Sequence, residues 1–157
     1  MATDLILFNG DEGISGKLGL KTQKIVLGKE IVFGNVESNR KLIESRKVKV
    51  LISPHLGVRK DFMSFRNSGL NDVLCKLAKK NKVSVGFYFS EILNSSGFTR
   101  AEVLSRMRQN VRLCGKYGVS MSIFSLAKEP YELRAKDALV CFGRILGMKE
   151  NQIKIGL

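Results

Sequence analysis

The chain has 157 residues, 44% of them hydrophobic, with 27 Lys and Arg against 14 Asp and Glu for a net charge of +13. A single domain of this length buries roughly 70% of its unfolded surface, which removes any need for a disulfide or metal staple. A pI near 9.9 is the electrostatic footprint of a nucleic-acid binder, and no basic segment stands beside a strongly amphipathic Trp/Phe face, so a membrane-surface role is set aside.

In chain order, MATDLILFNGDEGISGK places an acid before a four-residue apolar run, too short for the core of a signal peptide. No uninterrupted apolar stretch elsewhere approaches membrane-spanning length, so the expected location is cytoplasmic, with no membrane partner. The first 34 residues are glycine-rich, with Gly10, Gly13, Gly16 and Gly19 and no helical period. GISGKLG lacks the strand-turn-helix context of a dinucleotide fingerprint or P-loop, so these glycines read as turns between short strands. KIVLG and EIVFGN read as short strands and NRKLIESRK as a short basic helix. Val48–Ser53, Val83–Phe89 and Val119–Phe124 are β-branched strand runs. Each precedes a helical pattern: Gly69–Asn81 after a long loop, then Thr99–Gly118, then Ala135–Met148. Strand starts about 35 residues apart match one strand-plus-helix crossover unit, which implies a parallel sheet with helices outside, as a barrel or a doubly wound sheet. With only two prolines and no low-complexity tract, residues 1–157 read as a single domain.

The segment from Phe98 to Gly118 carries Arg100, Arg106, Arg108, Arg112 and Lys116, with Glu102 its only acid. On a helical wheel Val103, Leu104, Met107, Val111 and Cys114 share the core arc. Arg108, Arg112 and Lys116 stack at four-residue spacing on the neighbouring flank, Arg106 falls on the far side, and Leu113 opposes the core as a residue able to meet a protein partner. Thr99 with Glu102 has the capping-box spacing. Stacked like charges repel by a few tenths of a kcal/mol per pair, and an acidic partner removes that repulsion. Arginine's planar fork suits phosphate. Lys128, Arg134 and Lys136 add to the basic set. The signatures of an RNP motif, a zinc knuckle or a helix-turn-helix are missing from the sequence, so recognition is expected through shape and phosphate rather than base edges.

Cys75, Cys114 and Cys141 are odd in number and widely spaced, which points to a reducing compartment and to small core residues. Glu37, His55, Glu91 and Ser125 lie just after strand ends, where barrel chemistry resides. His55 is the sole histidine, whereas a metal-dependent hydrolase normally recruits several. It reads as a loop or capping residue, with Glu37 and Glu91 on the surface or at helix caps. No catalytic or metal-binding residue is expected. A small barrel metal-dependent phosphoesterase using His55, Glu37 and Glu91 stays open as one alternative. A basic protein-interaction scaffold without direct RNA contact is another.

LSRMRQNVRLCGKYG (Leu104–Gly118), AKEPYELRAKDALVCFGRILGM (Ala127–Met148) and NSGLNDVLCKLAKKNKVSVGF (Asn67–Phe87), with VESN (Val36–Asn39) and LISPH (Leu51–His55), occur in an order that resembles one family. It is the TIM-barrel, PHP-like protein subunit of archaeal and eukaryotic ribonuclease P, component 3 in archaea. The likeness runs from about Val36 to Met148. Asp72 stands where that family commonly has a histidine, the loop Leu56–Ser68 reads as longer or rearranged, and the first 35 residues look compressed. The resemblance implies a TIM-barrel-like α/β fold, shortened or incomplete at the N-terminus. It also implies a noncatalytic subunit that supports the catalytic RNA in freeing the 5′ end of precursor tRNA. Its implied partners are RNase P RNA, precursor tRNA, a small α/β RNase P protein subunit and other RNase P proteins. The chain itself needs no cofactor, since the metal ions belong to the RNA. The residues expected to meet RNA are Arg100, Arg106, Arg108, Arg112, Lys116, Lys128, Arg134 and Lys136.

Overall fold

The computed structural model describes residues 1–10 and 12–157; Asp11, within the glycine-rich opening, lies outside the described residues. The strands are β1 (Thr3–Ile6), β2 (Lys21–Lys24), β3 (Ile31–Phe33), β4 (Val50–Ile52), β5 (Ser84–Tyr88) and β6 (Met121–Phe124). The helices are α1 (Glu12–Lys17), α2 (Asn39–Glu44), α3 (Asp72–Lys80), α4 (Phe89–Leu93), α5 (Gly97–Tyr117) and α6 (Lys136–Leu146). Short 3-10 turns occupy Pro130–Glu132 and Glu150–Gln152. All ladders are parallel. β3, β4, β5 and β6 form one sheet in that order, and β1 with β2 forms another.

The two sheets join in an arc. Leu7 N–H donates to the Ala127 carbonyl (2.8 Å) and Leu126 N–H to the Leu5 carbonyl (3.0 Å), so β1 lies beside the outgoing end of β6. Lower down, Ile155 bridges Ile123, and the Asp4 carboxylate receives the Ser125 N–H (2.7 Å) and hydroxyl (2.6 Å). The spatial order is therefore β2-β1-β6-β5-β4-β3, a partial TIM-barrel-like α/β fold.

Strand alternation sorts residues to two faces, as a pleat of period two requires. Leu5, Ile31, Val50, Ile52, Phe124 and Leu126 fill the inside of the arc. Leu51, Val85, Phe87, Met121 and Ile123 point outward under the helices. Burial on both faces is the rule for parallel strands and explains why these runs are nearly continuous in apolar residues. Gly86 of β5 takes an inward position. A Cβ there would lie 2.7 Å from both Ile52 and Phe124, so the tightly curved interior has no room for a side chain. Helix α6 covers the outer face with Leu139, Phe142, Gly143 and Leu146, one stripe at helical spacing. Each such large apolar side chain contributes about 1.5–3 kcal/mol by burial.

Several expectations are corrected. The opening does hold a helix, α1, spanning EGISGK: buried Ser15 and the buried Leu20 behind it seat it against the body, and this tertiary packing overrides the roughly 1 kcal/mol cost of a helical glycine. KIVLG is not a strand. The β2 ladder runs through KTQK, and the chain then turns, with Gly28 N–H bonded to the Ile31 carbonyl. Helix α2 stops at Glu44, short of Lys47. Helix α4 follows β5 directly and was not foreseen. Cys75 and Cys114 are buried as expected, whereas Cys141 is exposed. Among the described residues, no helix is long and apolar enough to cross a membrane.

Candidate nucleic-acid interface

Helix α5 begins two residues before Thr99, at Gly97, with Ser96 as its cap residue and no side-chain capping bond. The Thr99–Glu102 capping box is thus absent, because both residues already lie inside the first turns. Gly118 ends the helix at φ 67°, the left-handed region that a side chain would strain. Met107, Asn110, Val111 and Cys114 are buried against the barrel. Val103 and Leu104 are half-buried, as is Leu113, which packs on the core edge instead of standing free.

The structure divides the expected cations. Arg108 and Arg112 are exposed and make no ion pair among the described residues. Together with Leu104, Ser105 and Gln109 they line a shallow groove of about 300 Å³. Lys116 continues their line, but Asp72 of α3 stands 3.8 Å from its ammonium. Its pKa is raised by the Tyr117 phenol and then by the Asp72 charge. Asp72 is therefore a partner for the stripe's last cation. Arg100 is exposed, and its Nε donates to the Ser95 carbonyl at 2.7 Å.

Arg106 is not on a free face. Its side chain is 14% exposed and lies 3.5 Å from Asp61 and 3.4 Å from Glu102. Asp61 comes from the long loop Leu56–Ser68, where it also accepts the Asn67 N–H at 2.9 Å. That bond, ahead of the charges of Arg106 and Arg66, holds the Asp61 carboxyl below the ordinary aspartate value. Arg106 fastens the loop, a role that no spacing within α5 reveals.

The other three cations lie on the connection from β6 to α6. Lys128 is exposed, and its backbone N–H donates to Glu132 at 2.7 Å. Arg134 caps the carbonyls of Tyr131 (2.9 Å) and Leu133 (2.7 Å) and stacks 5.2 Å over Phe89. Lys136 is exposed at the first position of α6. Along α5 itself, Arg100 and Lys116 are separated by about 24 Å at the helical rise. The eight residues do not converge on one point. They form a stripe on α5 and a second group on the β6–α6 connection.

At the barrel mouth, His55 and Glu91 do meet. His55 is 6% exposed and bonds through Nε2 to Glu91 Oε1 at 2.7 Å, while Ser53 Oγ donates to Glu91 Oε2 at 2.9 Å. Both carboxylate oxygens are thereby engaged, and His55 is a loop residue, in the turn after β4, but a buried and paired one. Burial and the nearby Glu91 charge push the Tyr88 phenol up to about 12, partly offset by Ser53. Glu37 remains apart, exposed on the loop before α2. Ser125 serves Asp4, whose carboxyl is pushed up by burial and partly restored by the Ser125 bonds. Among the described residues no group of three His, Cys, Asp or Glu side chains could hold a metal.

Sequence reasoning missed Asn39. It is fully buried, its Nδ2 donating to the Pro54 carbonyl (2.7 Å) and the Gly69 carbonyl (2.9 Å), its Oδ1 receiving the Asn35 N–H (2.9 Å). VESN, LISPH and NSGLN, three of the segments that carried the resemblance, meet at this one amide. Their recurrence in order was the available signal.

Comparison with known proteins is consistent with this architecture. A family model described as RNase P subunit p30 matches residues 31–157. Ribonuclease P protein component 3 of Methanosarcina acetivorans is 32% identical over 123 residues, 78% of this chain and 48% of the relative. The same component of Methanothermobacter thermautotrophicus is 31% identical over 124 residues, 79% and 48%. The chain thus spans about half the length of these relatives. A chain from a cryo-EM structure of archaeal ribonuclease P with mature tRNA superposes with a TM-score of 0.68 at 23% identity, covering 92% of this chain and 72% of that one.

Proposed function

Since the chain belongs to the RNase P subunit p30 family, we propose that it is a protein subunit of ribonuclease P that holds RNA by its phosphates and supports the RNA's cleavage of the 5′ leader from precursor tRNA. The observation that carries the reading is the pair Arg108 and Arg112, exposed on α5 at one-turn spacing with no ion pair among the described residues. Each guanidinium presents a planar fork to two phosphate oxygens. Arg100 and Lys116 extend the stripe, and Lys128, Arg134 and Lys136 offer a second contact area. Arg106 is left out of the contact set, because Asp61 and Glu102 already neutralise it.

In this reading the chain does no bond chemistry. The metal ions of cleavage belong to the RNA component, and the partners are RNase P RNA, precursor tRNA, the small α/β protein subunit and other RNase P proteins, in the cytoplasm. The chain's own work is electrostatic: every phosphate neutralised releases counterions, so affinity falls linearly in logarithm with salt. The test is the affinity of the full chain for RNase P RNA across a salt series. Replacing both Arg108 and Arg112 by Ala is expected to lower the slope by about 2, one per lost phosphate contact. An unchanged slope and affinity would overturn the assignment of the site.

A further inference from the structure

The loop Leu56–Ser68 is firmly built yet shows its apolar side chains to water. Asp61 accepts the Asn67 N–H and pairs with Arg66 and Arg106, Gln109 Nε2 donates to the Arg66 carbonyl at 2.7 Å, and Asn110 Nδ2 to the Ser68 carbonyl at 3.0 Å. So anchored to α5, the loop closes on itself through Phe62 N–H to the Phe65 carbonyl at 3.0 Å. At its apex Phe62 is 54% exposed, Phe65 56% and Met63 fully exposed. The two rings lie 4.7 Å apart, tilted by 36°. Phe65 also walls a cavity of about 520 Å³ with Leu70, Val73, Gln109 and Leu113. Clustered exposed aromatics of this kind mark an interaction site, because burying each would otherwise stabilise the fold.

Charge decides what kind of partner fits. Arg59 and Lys60 precede the rings in the same loop, exposed and without an ion pair among the described residues. Gln109, shared by this cavity and the Arg108–Arg112 groove, joins the two. The loop's single acid, Asp61, is engaged by Arg66 and Arg106. The cavity's own acid, Asp72, stands 3.8 Å from Lys116, so an apolar platform with unpaired cations before it in the loop and others along the neighbouring α5 matches a ligand that has flat apolar faces and regularly spaced anions in one chain. Single-stranded nucleic acid is such a ligand: its bases stack on aromatic rings while its backbone tracks basic side chains.

We propose that Phe62 and Phe65 form a stacking platform for unpaired RNA bases, adjoining the phosphate stripe of α5. This rests on the RNA-binding reading above and adds to it a preference for unpaired over duplex RNA. The stack is formed with the rings as they stand, and the cavity beside Phe65 receives the second base.

The test uses the full chain with a single-stranded oligonucleotide carrying one 2-aminopurine and with a hairpin RNA of equal charge. Wild type is expected to quench 2-aminopurine fluorescence and to favour the single strand. Phe62→Leu with Phe65→Leu, which keeps the loop apolar, is expected to abolish the quenching and lower single-strand affinity about 10-fold or more, leaving the salt slope and hairpin affinity unchanged. Quenching and affinity equal to wild type would overturn the platform while leaving the phosphate reading intact. If wild type binds neither RNA in a salt-dependent way, the functional reading itself falls. Self-association of the wild-type chain in sedimentation, abolished by Phe62→Ala with Phe65→Ala while RNA affinity stays fixed, would identify a protein-docking apex instead and overturn the proposal.

Discussion

Replacing Asn39 by Ala removes one small side chain and unties three loops. In the native structure its amide satisfies the carbonyls of Pro54 and Gly69 and the N–H of Asn35, with the side chain sealed from water. Alanine leaves two buried acceptors and one donor without this partner. Leaving a buried polar group unsatisfied costs about 1–3 kcal/mol. Water entering the vacated space offsets part of that, so the expected total is about 3–5 kcal/mol, a large fraction of the stability of an ordinary domain. For a chain of this size that lowers Tm by roughly 10 °C. Urea denaturation followed by circular dichroism reads the change directly. Asn39→Asp is the sharper variant. It can still accept from Asn35, but it places a carboxylate oxygen against two carbonyl oxygens, so it is expected to destabilise at least as much as alanine at pH 7. A loss below about 1 kcal/mol for either variant would refute the view that these loops are held by the amide.

Other outcomes follow from the same contacts. Arg106→Ala is expected to lower Tm through loss of the Asp61 and Glu102 pairs while leaving the salt slope of RNA affinity at the wild-type value; a slope lowered by 1 would return Arg106 to the contact set. Gly86→Ala forces a methyl group against Ile52 and Phe124 and is expected to cost about 1–3 kcal/mol in urea denaturation. Asp4 has a raised pKa, so its stabilising contribution is fully present below the unfolded aspartate value near 3.8 and is lost as pH rises through the folded value. Asp4→Asn, which keeps an acceptor for the Ser125 N–H, is therefore expected to gain on wild type between pH 4 and 7 and to show no gain at pH 3. A wild-type advantage that grows with pH would contradict the sign.

The parallel sheet was legible because its strands are buried on both faces, which writes a short apolar run into the sequence whatever its neighbours are. Helices α3, α5 and α6 were legible for the related reason that each buries one stripe. What stayed hidden depended on contacts distant in sequence. Helix α1 has too little apolar content to announce itself, and β2, with the polar face KTQK, is a strand only because β1 lies alongside it. KIVLG looked more like a strand than KTQK, yet the ladder chose the latter. The inward glycine of β5 gave no hint of its role, since a strand glycine also reads as a bulge or a weak point.

The cations show the same limit at the site. Counted along α5, Arg106 and Arg108 are only two residues apart, on different faces, with Glu102 within reach of Arg106 alone. Helical geometry can set that one acid four residues from Arg106, a pairing of a few tenths of a kcal/mol on an exposed surface. It cannot supply Asp61, 45 residues away, which turns a weak surface pair into a fastening for the loop. Lys116 has a similar history, since Asp72 reaches it from α3. After these long-range pairings are made, Arg108 and Arg112 are left without an ion pair among the described residues. An excess of cations in a helical segment therefore measures binding capacity only after the acids of every packed element have been subtracted. In this fold that subtraction leaves a narrower basic stripe than the sequence proposed, and it sets that stripe beside an aromatic loop that the sequence did not single out.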